Sequence, residues 1–163
     1  QLDVLKTATS QFTSNDAIDL SLLIQKNTEE DSLGSALKVY SRAELALAQH
    51  HLKKAKEILD SIGLLFPHNS MKDDILMAEF QLEWDRNNYE KAVSNLEMIV
   101  STYSKGIWAD KALFLLGNIY KNQFKLSEKA IVYYERLFVE YPGSFYAHLA
   151  RKNYRNLRMD PAQ

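Results

Sequence analysis

Cysteine is absent from the 163 residues. That excludes thiol catalysis, cysteine-ligated zinc and disulfide staples, and it fits any redox compartment. Proline and glycine are scarce, at three and five, so turns are few. No apolar run approaches the roughly 18 residues of a membrane span. No single charge sign dominates: the net charge is −1, which lacks the overall field of a nucleic-acid binder. There is no Gly-rich phosphate loop, no Gly-x-Ser-x-Gly and no His-Glu-x-x-His. The chain opens on Gln1 with no secretory signal, which reads as a mature or trimmed piece of something longer.

What is present is helix-forming. Apolar residues make up 46% and charged residues 25%, an ordinary globular balance, and Leu, Ala, Glu and Lys abound. The length suits one domain able to fold without staples.

The stretch YERLFVEYPGSFYAHLAR, residues 134–151, stops one amphipathic run and starts another. Pro142 blocks helix continuation. Gly143 permits a left-handed turn, and Ser144 can cap the next helix. The pattern recurs upstream at an offset of 38 residues: Tyr103 matches Tyr141, Trp108 matches Tyr146, and Ala109 and Ala112 match Ala147 and Ala150. Glu90-Lys91-Ala92 likewise matches Glu128-Lys129-Ala130, Ile75 matches Leu113, Leu82 matches Tyr120, and Leu96 and Ile99 match Tyr134 and Leu137. An earlier copy places Ala55, Leu59, Ile62 and Pro67 in the same order, 37 residues before Ala92 and the positions that follow. A period of 37–38 with i, i+3, i+4, i+7 spacing inside each unit marks an all-α solenoid of antiparallel helix pairs.

The spacing predicts helices at roughly 2–12, 15–27, 33–48, 51–65, 70–86, 88–103, 107–121, 126–141 and 145–158. Residues 1–32 form an N-terminal helical segment, either a degenerate unit or the tail of an upstream repeat, with an apolar face of Ile18, Leu22 and Leu23. Three units follow at 33–69, 70–106 and 107–144, and a capping helix closes at 145–158.

ALFLLGNIYKNQFKLSEKAIVYYERLFVEYP, residues 112–142, resembles a tetratricopeptide repeat (TPR) through Leu113, Leu116-Gly117, Tyr120, Ala130 and Pro142. SRAELALAQHHLKKAKEIL, with Ala43 in the small position, and NNYEKAVSNLEMI look like further copies. Gly117 and Ala130 are small where helix axes approach, so Gly117→Leu should overpack by about 1–3 kcal/mol. One extra residue sits in the turn at Gln123–Leu126, Glu79 stands at the Gly117 position, and Ser104 replaces the unit-ending proline. The long helices and YPGSFYA closing resemble bacterial cell-envelope TPR proteins, of the Tol–Pal accessory and outer-membrane assembly lipoprotein type. The whole chain looks like the C-terminal part of large bacterial TPR proteins. That likeness implies the cell envelope or periplasm, with cytoplasm left open.

The resemblance implies a non-catalytic α-α superhelix that binds a protein or peptide in a concave groove lined by the first helix of each unit. Likeness to peptide-binding members places groove positions at Tyr40 and Glu44, at Leu76, Phe80 and Trp84, and at Phe114, Asn118, Lys121 and Asn122. Phe80 and Trp84 are one turn apart and either hold a ligand or pack between units. The two asparagines can bond both edges of a ligand backbone. The clamp for a C-terminal carboxylate is incomplete, with Lys121 almost alone. The alternative reading is a structural spacer or self-association module within a larger envelope protein. No cofactor, metal, nucleic acid or direct membrane insertion is expected.

The remaining charged features have bland readings. His50-His51 point about 100° apart on a helix and read as turn residues rather than ligands. Asp73-Asp74 and Glu29-Glu30-Asp31 read as helix-start and solvating acids. Arg151, Lys152, Arg155 and Arg158 read as the polar outer face of a terminal helix.

Overall fold

The computed structural model describes residues 34–159 and, before them, the helical positions Asp16, Ile18, Asp19, Ser21, Leu22, Leu23 and Gln25. The helix expected at 2–12 lies outside the described residues. From residue 34 the chain forms α1 (Ser35–Ala48), α2 (Leu52–Leu65), α3 (Lys72–Asp85), α4 (Tyr89–Thr102), α5 (Ala109–Asn122), α6 (Ser127–Glu140) and α7 (Phe145–Met159). These agree with the spacing-derived bounds to within two residues at each end. Each helix packs chiefly on the next in sequence, and α1 also touches α3, as α5 touches α7. The result is an all-α superhelix of antiparallel pairs.

Apolar periodicity explains the packing. Ala55, Ile62, Leu82, Ala92, Leu96, Ile99, Ala112, Leu113, Leu116, Ala130, Tyr134 and Leu137 are all fully buried in one continuous core. They recur at helical spacing on the inward faces.

Helix ends are set by backbone closure. His50 and Asn87 are left-handed, at φ of 56° and 60°. The next amide in each case, His51 or Asn88, donates back five residues to Ala46 or Glu83 at 2.8 Å. This satisfies carbonyls that the helix end leaves free. After α5 the left-handed residue is Lys125, and the Leu126 amide reaches back six residues to Tyr120. The extra residue therefore lies in that turn, as the sequence indicates.

This placement corrects the register of the first helices. The receiving carbonyls Ala46, Glu83 and Tyr120 stand 37 apart, because the inserted residue comes after α5 and cannot shift it against α3. The offset of 38 holds for α4 and α6, downstream of the insertion. Phe80, not Glu79, thus stands where Gly117 stands, three residues before the receiving carbonyl. Ile75 and Leu82 likewise give way to Leu76 and Glu83 as the counterparts of Leu113 and Tyr120.

The opening hinge also differs in detail. Gly143 is not left-handed; among the described glycines only Gly34 is. The Ser144 amide donates to the Tyr141 carbonyl at 3.0 Å, a four-residue turn that needs no positive φ. Ser144 does cap α7, accepting from the Tyr146 amide at 3.0 Å.

Successive pairs are tied by hydrogen bonds 34–37 residues apart. Trp108 Nε1 donates to Asp74 Oδ1 at 2.6 Å, Ser144 Oγ to Asp110 Oδ2 at 2.6 Å, and Tyr141 Oη to the Ser104 carbonyl at 2.6 Å. Tyr40 Oη donates to the Asp74 carbonyl at 3.2 Å. Asp73 and Asp74 are therefore not solvating acids but buried ones. They sit in the first turn of α3, where the helix dipole favours negative charge, and Asp74 receives a partner from the next pair.

Candidate functional site

The first helix of each pair faces a common groove of about 1100 Å³. Its floor is apolar: Leu37 and Leu47 of α1, Met77, Ala78 and Phe80 of α3, and Trp108 and Leu115 at and within α5. Its walls carry Lys38, Ser41, Glu44, Gln81, Asp85 and Lys111. An apolar concavity with a few placed polar groups suits recognition of an amphipathic ligand.

The upstream helical segment lies in this groove. Asp16, Asp19 and Leu23 line it. Lys111 Nζ donates to Asp16 Oδ1 and Asp19 Oδ2, each at 3.2 Å. The same ammonium sits 5.3 Å from the centre of the Trp108 ring, a cation–π distance. Leu23 is buried, whereas Ile18 and Leu22 are 56% and 42% exposed. The face turned to the body is thus Asp16, Asp19 and Leu23, not the apolar trio that the sequence suggests.

Electrostatics follow from the concavity. Burial among the groove walls pushes the Glu44 carboxyl up, although the side chain still meets water at the mouth and Tyr40 and Lys111 pull it down. Burial pushes Asp19 up as well, and outweighs Lys111 beside it. For Lys111, burial works against the charge, but Tyr146, Asp19 and Asp16 around it hold the ammonium above its ordinary range. Burial raises Tyr40 strongly, with Glu44 adding to it.

The sequence-derived positions divide between the groove and the contacts between helices. Tyr40, Glu44 and Phe80 line the groove; Tyr40 and Phe80 are largely buried. Trp84 is half-buried and packs on Phe80 at 6.1 Å and on Tyr89 at 4.9 Å. Phe114 stacks on Tyr146 of α7 at 5.1 Å and meets Tyr134 of α6 at 6.4 Å. Asn118 accepts from Tyr134 Oη at 2.8 Å. Lys121 is half-buried near the end of α5 and Asn122 is exposed; neither lines the groove, and neither do Leu76, Trp84, Phe114 or Asn118. Sequence reasoning missed Lys111, Met77, Leu115 and Leu37. Lys111 precedes Phe114 by three residues, so its position on the first-helix face was the one available signal.

At the rim of the groove, His50 is an exposed turn residue 4.0 Å from Asp85. In α7, Arg151 lies 5.5 Å from the Phe138 ring and Arg158 5.6 Å from that of Tyr154. Lys152 and Arg155 are exposed. Among the described residues no cluster of three His, Asp or Glu side chains could hold a metal. No helix there is long and apolar enough to cross a membrane.

A protein of uncharacterized function from Borreliella burgdorferi is 26% identical over 102 residues, which cover 61% of this chain and 30% of that relative. The chain therefore spans well under half of the relative that it matches. Residues 111–144, running from Lys111 through α5 and α6 to Ser144, match the family model described as Tetratricopeptide repeat. With its successive helix pairs, the fold is accordingly an all-α superhelix of tetratricopeptide type.

Proposed function

We propose that the chain is a non-catalytic protein-interaction scaffold that receives a protein or peptide in the groove formed by α1, α3 and α5. One observation carries the reading: a concavity of about 1100 Å³ with an apolar floor stays open beside helical positions Asp16, Asp19 and Leu23 of the chain itself, which form part of its lining. The tetratricopeptide match supports a scaffold role in general. The raised carboxyls of Glu44 and Asp19 follow from burial in the groove and call for no catalytic role. Tyr40 and Phe80 contribute to the floor. Trp84, Phe114 and Asn118 act at one remove, by fixing the helices that carry it, and Lys121 and Asn122 lie beyond its edge. Placement in a bacterial envelope or periplasm belongs to the same proposal and rests on the resemblance of the long helices and the YPGSFYA closing.

The test is site-specific photocrosslinking in cells. A photoreactive residue replaces Gln81, which lines the groove and is exposed. Control positions are Val132 and Val139, exposed on α6. A discrete partner captured at Gln81 and absent from the controls supports the groove. Capture at the controls alone removes it. Capture of a second copy of the chain favours the spacer or self-association reading.

A further inference from the structure

We infer that the groove is a receptor for an acidic amphipathic helix of the pattern Asp-x-x-Asp-x-x-x-Leu, and that Asp16, Asp19 and Leu23 hold this seat in cis until a partner helix of that chemistry replaces them. The inference rests on the groove being the binding surface. It adds the class of ligand and the residue that selects it.

Three observations converge. First, the spacing from Asp16 to Asp19 to Leu23 puts all three on one helical face, and all three line the groove. Second, both carboxylates share one ammonium, Lys111, which is 24% exposed and backed by the Trp108 ring. Glu44, Asp85 and Lys38 mix both signs over the rest of the wall, so the shared pairing at Lys111 favours the register that brings an anionic helix's carboxylates there. Third, the segment is only partly covered. Asp16 is 66% exposed, and Ile18 and Leu22 face outward. A helix only partly covered in its seat can give way when a better-matched helix arrives.

The experiment uses the full chain and a fluorescent peptide of residues 14–27, SNDAIDLSLLIQKN, followed by anisotropy. The opened variant carries Asp16→Ala, Asp19→Ala and Leu23→Ala, and circular dichroism checks that the remaining helices are intact. The opened chain should bind the peptide at least about tenfold more tightly than the parent, whose seat is filled. Adding Lys111→Glu should remove that gain, and a peptide with Asp16→Lys and Asp19→Lys should recover it against Lys111→Glu. Lys111→Met keeps the stem over Trp108 and should weaken binding without disturbing the fold. Equal binding by parent and opened chains overturns the inference, as does insensitivity to Lys111 or failure of the charge-swapped pair. A partner captured through Gln81 alongside a peptide that does not bind would remove this inference and leave the groove reading.

Discussion

Alanine at Gly117 should change the sign of its effect according to what stands at position 134. A Cβ added at Gly117 would lie 2.5, 2.6 and 2.9 Å from three ring carbons of Tyr134. Contacts below 3.0 Å force a shift. The ring is fully buried and its hydroxyl is held by Asn118 at 2.8 Å, so it has little room to move. Overpacking of this kind costs about 1–3 kcal/mol. Against it, alanine gains about 1 kcal/mol over glycine in a helix interior. The net for Gly117→Ala is a loss of up to about 2 kcal/mol. Leucine occupies the position of Tyr134 in the two preceding pairs, as Leu59 and Leu96. Tyr134→Leu alone should cost about 2 kcal/mol through lost ring volume. In that background the clash is gone, and Gly117→Ala should stabilise by about 1 kcal/mol. Urea denaturation of the four proteins forms a double-mutant cycle with a coupling of about 2 kcal/mol. The same sign of effect in both backgrounds would refute the proposed contact and the register built on it. The bulkier Gly117→Leu should exceed the cost of alanine in the parent.

Further outcomes follow from the buried polar groups. Trp108→Phe removes the 2.6 Å donor to buried Asp74 and should cost about 1–3 kcal/mol in urea denaturation, as for a buried group that loses a hydrogen-bond partner. Glu83 is buried, yet Lys91, Asn88 and Arg86 outweigh the burial and hold its carboxyl below the ordinary 4.5. A depressed carboxyl stabilises the fold above its unfolded value and loses that contribution as pH falls through the folded one. Stability measured from pH 7 downward should therefore begin to fall near 4.5, and Glu83→Gln should flatten this slope. Burial pushes the Tyr134 and Tyr146 phenols up to about 12. Their contribution is complete below the unfolded value of about 10 and is lost as pH rises toward 12, so absorbance titration should show late phenols, these two among them, that shift to about 10 on unfolding. The Asn95 amide nitrogen is buried without a hydrogen-bond partner; Asn95→Leu should leave stability unchanged or raise it by up to about 1 kcal/mol in thermal melts.

The fold was legible because each helix carries its own apolar period, and the left-handed caps at His50 and Asn87 keep the two helices of a pair at constant spacing. The register slip at Phe80 shows the limit. An insertion can be counted between two matches, but its side of a helix becomes visible only through the carbonyl that receives the closing amide. Tyr40 and Phe80 were legible as floor residues because they lie on the face shared by the first helices. Phe114 and Asn118 lie on the same helix set, but Phe114 is stacked on Tyr146 of α7 and Asn118 is bonded to Tyr134 of α6, and both depend on how closely the last helices fold over. Lys111 was missed because its role arises from acids 92 and 95 residues away. No local pattern encodes such a pairing, and a charged residue beside an aromatic one reads as ordinary surface.

That long-range ion pair has a mechanical consequence. Every other tie described joins neighbours in the stack, so the array resembles a spring whose coils are fastened one to the next. The bridge from Asp16 and Asp19 to Lys111 skips from before the first coil to the third, as a bowstring spans a bow. Releasing it frees the third coil from what precedes the first, so whatever competes for that ammonium also acts on how distant coils are held together.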